Sequence, residues 1–300
     1  AEKSKAEKGV RSMKKFLAVI CSLAVLAGGV AAFSGCSRTL VGFDIELAQA
    51  VADKIGVNLR CEEINWDTKE AELENHSIDM AWNGFTYTEE RDKGYIDEDG
   101  NKIGGLDFSN LYMRNRQVAV VKKENAEKYS SFDAMKQAAS FTAESGSAGF
   151  TTIQEVFEVT PTGVKRQADV FTEVTAGTSE IGVIDAVMAG HYITAESGAY
   201  HDSLAVVQIA GVEEEFYAIG FREGSNLPAA FNNIIAGLVE DGTMERIAEK
   251  YGLQDVILPE NFADYDANYA YPTDGDYQEL INDGEMVLGY TIFAPMAYFE

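Results

Sequence analysis

The chain has 300 residues with 46% hydrophobic content, enough for one large or two medium globular domains. It carries 49 Asp and Glu against 24 Lys and Arg, a formal charge of −25 that repels phosphate backbones and argues against nucleic acid as a partner. Cys21, Cys36 and Cys61 leave no pair for a disulfide in the folded part, and His76, His191 and His201 are too scattered for a metal site, so no metal or other cofactor is expected. No nucleophile triad, P-loop or metalloprotease motif is present.

Residues 1–12 are polar, lack Met and read as lying upstream of a natural start. Met13-Lys14-Lys15 is a positive segment, Phe16 to Ala32 is a mostly apolar run, and Phe33-Ser34-Gly35-Cys36 ends it with small residues before a cysteine. That ending resembles a bacterial lipobox, so residues 13–36 are expected to be a lipoprotein signal peptide with Cys36 as the lipidated residue. An ordinary signal peptide or an uncleaved anchor would also fit these residues. Removing residues 1–35 would leave 18 basic and 47 acidic residues, a balance that suits an extracytoplasmic protein.

Thr39 to Phe43 reads as a short strand, and Asp44 as the cap of a helix over Ile45 to Ile55 that Gly56 ends. Val57 to Ile64 reads as a strand, Thr68 to Glu74 as a helix and Ile78 to Ala81 as the next strand. This alternation predicts a parallel sheet. Within Trp82-Asn83-Gly84-Phe85-Thr86-Tyr87-Thr88-Glu89-Glu90-Arg91, a small-residue turn exposes backbone N–H groups, Thr86 adds a hydroxyl, and Arg91 adds a planar fork that fits a carboxylate. The same Arg also fits an ordinary helix surface. Gly94 to Gly105 is a charged, Gly-rich surface loop or small hairpin.

Gln117 to Val121 is a strong strand, Ser131 to Ala138 a helix and Ser140 to Ala143 a strand. The loop Glu144-Ser145-Gly146-Ser147-Ala148-Gly149 then leads into a helix over Phe150 to Phe157, a unit whose free amides suit an anion. Glu180 to Ile184 is a buried type of strand. Asp185 follows it, either as a helix N-cap or as a carboxylate at the strand's carboxyl end, where ligands bind. Leu204 to Ile209 and Phe216 to Phe221 are further strands, and Leu227 to Glu240 and Thr243 to Tyr251 are amphipathic helices. Leu258 to Asp276 reads as a linker, followed by a helix over Tyr277 to Asn282 and a strand over Glu285 to Thr291.

These pieces resemble the substrate-binding proteins of amino-acid ABC transporters. Phe43-Asp44-Ile45-Glu46-Leu47-Ala48 resembles that family's "GFDxDLA", and Trp66-Asp67 its "WD". Asn83 to Thr88 with Arg91 resembles its "SGxTxTxxR" ligand loop, and Asp107 to Tyr112 its "FSxPY". Glu144 to Ser147 resembles the "xxGS" loop, Gly182 to Asp185 the "DAxxxD" element, and Asp241 to Gly252 the "DGTxxxIxxKxxG" helix. Glu285 to Glu300 is similar to the family's first strand and its "YPPF" loop, which in the family stands directly before the segment matched here by Thr39 to Asp44. The order is therefore expected to be circularly permuted, with Leu258 to Asp276 as the new connection; a gene rearrangement would give the same order.

The resemblance implies an α/β, two-lobed periplasmic-binding-protein-like fold with a hinge and an interlobe ligand cleft. Lobe 1 would hold residues 39–114 and 219–300, and lobe 2 residues 115–218, with crossings near Arg116–Val118 and Phe216–Ala218. It implies a free, polar L-amino acid as ligand, an ABC permease as partner, a lipid anchor in the cell membrane, and a monomer. Arg91 and Thr86 would hold the ligand carboxylate with the Ser147 and Ala148 amides. Asp185 and the Gly84 carbonyl would hold its ammonium, beside Asn83. Phe293 would pack on its side chain, with Trp82 and Phe85 as further walls and Lys69 or Glu70 as candidate side-chain contacts. An enzyme of the cyclohexadienyl dehydratase kind would need a cleft acid, for which only Asp185 offers itself. A sensor input domain on the same fold and a non-binding rearranged product are two further readings.

Overall fold

Two five-stranded sheets organise the chain, and each repeats one pattern. The computed structural model describes residues 38–96, 100, 102–103 and 105–300; the leader, the signal segment and Cys36 lie outside the described residues. Leu40–Glu300 forms one compact unit. The first sheet runs Asn58–Glu63, Glu285–Tyr290, Met80–Ala81, Gly220–Arg222, Leu106–Phe108. The second runs Thr162–Val164, Phe141–Glu144, Ile181–Asp185, Gln117–Lys122, Leu204–Gln208. In each, the first three strands are parallel and the last two pairings are antiparallel. The expected parallel sheets are thus mixed. Strand–helix alternation makes neighbours parallel only inside an unbroken run, and Gln117–Lys122 and Gly220–Arg222 each arrive from the other sheet.

The chain passes between the sheets twice. It leaves the first through Met113–Asn115 and returns through Glu215–Tyr217, and these two segments pair antiparallel with Asn115 opposite Glu215. The single strand expected over Phe216 to Phe221 is therefore two strands in two places. Gly220 marks the second, where a side chain would stand 2.5 Å from the Phe85 ring.

Glu285–Tyr290 lies inside the first sheet, parallel to Asn58–Glu63 on one side and Met80–Ala81 on the other. Beyond it, Tyr298–Phe299 pairs antiparallel with Leu40–Val41, with Phe299 opposite Leu40. The loop between them feeds the Phe43–Ile55 helix: Phe43 N–H donates to Pro295 O at 2.9 Å and Asp44 N–H to Met296 O at 3.2 Å. These carbonyls satisfy amides that a helix start leaves open. Gly42 makes the approach possible, because a Cβ there would lie 2.1 Å from Met296 O. Asp44 is not the cap expected from its position. Gly42 occupies the N-cap, and Asp44 is buried in the first turn with its carboxylate directed elsewhere.

Leu258 to Asp276 is not a free linker. Leu258 and Phe262 are buried, Asn233 and Asp266 exchange two hydrogen bonds, and Tyr271 stacks on Tyr277 at 5.3 Å. Its anchors are isolated along the sequence, so no periodicity reveals them. The Gly94 to Gly105 insertion holds a small antiparallel pair, Tyr95–Ile96 with Lys102–Ile103.

Candidate ligand cleft

A small cavity lies where the two sheets face each other. The first sheet's side contributes Trp66, Asn83, Gly84, Thr86, Arg91 and Phe293. The second sheet's side contributes Glu144, Ser147, Ala148, Gln167 and Asp185. Most of the sequence-predicted site residues are thus brought together, from segments up to about two hundred residues apart.

The turn after Met80–Ala81 is fixed from beneath. Gly84 N–H donates to Asp44 Oδ2 at 2.7 Å, and the Tyr112 hydroxyl donates to the same oxygen at 3.1 Å. Burial pushes the Asp44 carboxyl up to about 7, against the pull of the Gly84 amide and the Tyr112 hydroxyl. Gly84 has φ +59°, and a Cβ there would stand 2.6 Å from the Phe293 ring. Asn83 Nδ2 donates to Thr291 Oγ1 at 3.2 Å.

Thr88 caps the Glu89–Lys93 helix by accepting from Arg91 N–H at 3.1 Å. This cap sets the start of the helix that carries Arg91. The guanidinium lies over the Phe85 ring at 4.9 Å. Its Nη1 donates to Thr86 O at 2.6 Å and its Nη2 to Gly146 O, on the opposite side of the cleft, at 3.3 Å. Desolvation lowers the Arg91 pKa, opposed by Glu70, Glu215 and Asp185. The Thr86 hydroxyl donates to Glu215 Oε1 at 3.2 Å.

Asp185 ends the Ile181–Asp185 strand in an extended conformation, and its side chain caps no helix amide. It thus stands both at the N-cap position of Ala186–Ala189 and at a strand end, and its carboxylate serves partners other than the helix. It accepts from Tyr217 OH at 2.9 Å, from Gln117 Nε2 at 3.0 Å, and from the Asn115 and Gln167 side-chain amides. Gln167 Oε1 in turn accepts from Asp185 N–H at 3.1 Å. Burial raises the Asp185 pKa, and hydrogen bonds with Gln167, Tyr217, Glu215 and Gln117 oppose that rise. Glu215 shares the Gln117 and Asn115 donors; burial, followed by the Asp185 charge, pushes it up to about 7.

Several further groups escape the sequence reading. Glu144 stands at the end of the Phe141–Glu144 strand, buried, with its Oε1 lacking a hydrogen-bond partner among the described residues. Burial and then Asp185 push it up to about 8. Asp185 is therefore not the sole carboxyl in the cleft. Glu144 has one visible signal, its place beside the Ser/Gly loop; Gln167 has none, lying in an irregular turn. Lys69, a candidate side-chain contact, is buried but does not line this cavity, and burial lowers its pKa. Its Nζ donates to Trp66 O at 3.3 Å and Gly146 O at 3.2 Å and pairs with Glu70 at 2.8 Å.

Three expectations need correction. Trp82 is no wall: its indole packs against Tyr112 and Phe231 in the core, because alternation along the strand turns it away from Asn83. Phe85 supports Arg91 and packs on Trp66 and Phe108 instead of lining the cavity; Trp66 supplies that wall. The Ser147 amide is already committed to Glu144 O at 3.2 Å, and the Ser147 hydroxyl caps the next helix by accepting from Phe150 N–H at 3.2 Å. Ala148, at the first position of that helix, does line the cavity.

Residues 31–254 match the model of the bacterial extracellular solute-binding proteins, family 3. The chain is 26% identical over 225 residues to the arginine-binding extracellular protein ArtP of Bacillus subtilis, covering 71% of this chain and 78% of that protein. It is 28% identical over 226 residues to the L-cystine-binding protein TcyJ of Escherichia coli, covering 75% and 79%. Among solved structures, an ABC uptake transporter substrate-binding protein from Streptococcus pneumoniae with bound histidine superposes with a TM-score of 0.62 at 29% identity, covering 72% of this chain and 85% of that one. With the family model spanning most of its length and a two-lobed α/β fold to match, the chain belongs to the bacterial extracellular solute-binding proteins, family 3.

Proposed function

We propose that this protein binds a free, polar L-amino acid between its lobes, outside the cytoplasm, and delivers it to an ABC importer. One observation carries the reading: Arg91 from one sheet's side and Asp185 from the other's line the same cavity. A zwitterion supplies a carboxylate for the Arg91 fork, with Thr86 and the Ala148 amide beside it, and an ammonium for Asp185 and the Gly84 carbonyl. Only the closed state pairs both charges, so ligand draws the hinge equilibrium toward closure. In this reading the lobes are residues 39–114 with 219–300, and 115–218, and the paired segments Met113–Asn115 and Glu215–Tyr217 are the hinge.

The site supports binding more than catalysis. The relatives ArtP and TcyJ are named as binding proteins, and four donors hold the Asp185 carboxylate in place for a ligand. The lipidated Cys36, the monomeric state and the permuted order belong to the same proposal. The pairing of Leu40 with Phe299 favours the permutation, because it brings the two segments together as a short loop would join them. Isothermal titration of the purified protein against the twenty amino acids and cystine tests the function. Micromolar binding of one or a few, about −8 kcal/mol, is expected; no heat from any, in a sample folded by circular dichroism, contradicts it.

A further inference from the structure

Two oxygens of cavity-lining residues are buried and have no partner among the described residues: Glu144 Oε1 and Asn83 Oδ1. Both accept hydrogen bonds and neither donates when Glu144 is ionised. They belong to one polar cluster. Asn83 donates its amide to Thr291 Oγ1, and the Thr291 hydroxyl stabilises the ionised Glu144 carboxyl. Unmade acceptors beside the cavity call for hydrogen-bond donors from whatever fills it.

The charges point the same way. A zwitterion's own carboxylate and ammonium are answered by Arg91 and Asp185, which leaves Glu144 without a counter-charge from the ligand. The neighbouring cation, Lys69, is committed to two backbone carbonyls and to Glu70. Glu215 adds a further carboxyl around Asp185. A neutral side chain gives Glu144 no counter-charge, whereas a cationic one lets it ionise against a partner. Trp66 and Phe293 border the same space, and aromatic faces attract a cation.

We propose that Glu144 and Asn83, flanked by Trp66 and Phe293, form the side-chain subsite and select an L-amino acid whose side chain ends in a guanidinium or ammonium group. This rests on the amino-acid reading above and gives it a ligand class. The charge is the main criterion and the N–H donors the second, so a neutral isostere such as citrulline is discriminated against.

The test is calorimetric titration of the full chain with L-arginine, L-lysine, L-citrulline and L-glutamine, repeated on Glu144→Gln. The wild-type protein is expected to bind arginine or lysine at least about tenfold more tightly than citrulline and glutamine. Glu144→Gln is expected to remove that preference. Wild-type binding of a neutral ligand as tight as that of the cations overturns the subsite and leaves amino-acid binding standing. So does a Glu144→Gln variant that keeps the preference with an unchanged circular dichroism spectrum. No binding of any of the four or of other amino acids overturns both readings together.

Discussion

Gly84 N–H and Asp44 Oδ2 lie 2.7 Å apart, joining the cavity-lining turn to a helix forty residues earlier in the chain. The bond fixes a turn that lines the cavity, at the cost of burying a carboxylate.

That burial has a pH signature. Asp44 is raised from 3.8 to about 7, so the folded state holds its proton more tightly than the unfolded state does. The native state is therefore favoured by this group at low pH, and the advantage is lost as pH rises from about 4 to 7. Glu144 and Glu215, raised to about 8 and about 7, act in the same sense. The melting temperature in the absence of ligand is expected to fall between pH 5.5 and 8. Asp44→Asn, which keeps an oxygen for the Gly84 amide, is expected to flatten the slope and to be more stable than wild type at pH 8 by an amount on the order of 1–3 kcal/mol. Thermal melts at the two pH values decide this; an unchanged slope contradicts it.

Gly84→Ala meets two obstacles at once, φ +59° and the Phe293 ring 2.6 Å from the new methyl. A loss of about 1–3 kcal/mol in stability is expected, together with weaker ligand binding because Phe293 must move out of its place in the cavity wall. Chemical denaturation and titration of the same variant measure the two effects.

Ligand binding itself is expected to move protons. A cation beside Glu144 favours its ionised form, so its pKa falls from about 8 in the free protein when such a ligand binds. Binding then releases protons near pH 7, and affinity rises between pH 6 and 8. Calorimetry in two buffers of different ionisation enthalpy reads this directly. Equal heats after buffer correction, with affinity flat across that range, contradict it.

What is legible in the sequence divides along physical lines. Helices with long apolar periods, such as Leu227–Glu240, and strands with unbroken apolar runs, such as Gln117–Lys122, are local and can be read to within a residue or two. Arg91, Thr86 and Asp185 are legible because turn chemistry and strand ends announce them. The mixed direction of the sheets is not, since it depends on which sheet a strand enters after a crossing. Asp44 misleads, because an acid at a helix start usually caps it, whereas here Gly42 does so and the carboxylate reaches Gly84. Trp82 misleads because the side of the strand it faces is set by packing against Tyr112 and Phe231. Glu144 and Gln167 act through neighbours 41 and 18 residues from Asp185, a separation no local pattern encodes.

Whether one zwitterion bridges Arg91 and Asp185 is tested most directly by titrating wild-type protein, Arg91→Ala and Asp185→Ala with the amino acid that the wild type binds best. Each variant is first shown folded by circular dichroism. Leaving one buried charge unpaired costs about 3–5 kcal/mol, so each substitution is expected to weaken binding by at least about a hundredfold and to abolish measurable heat. Near-wild-type affinity in either variant would contradict the account.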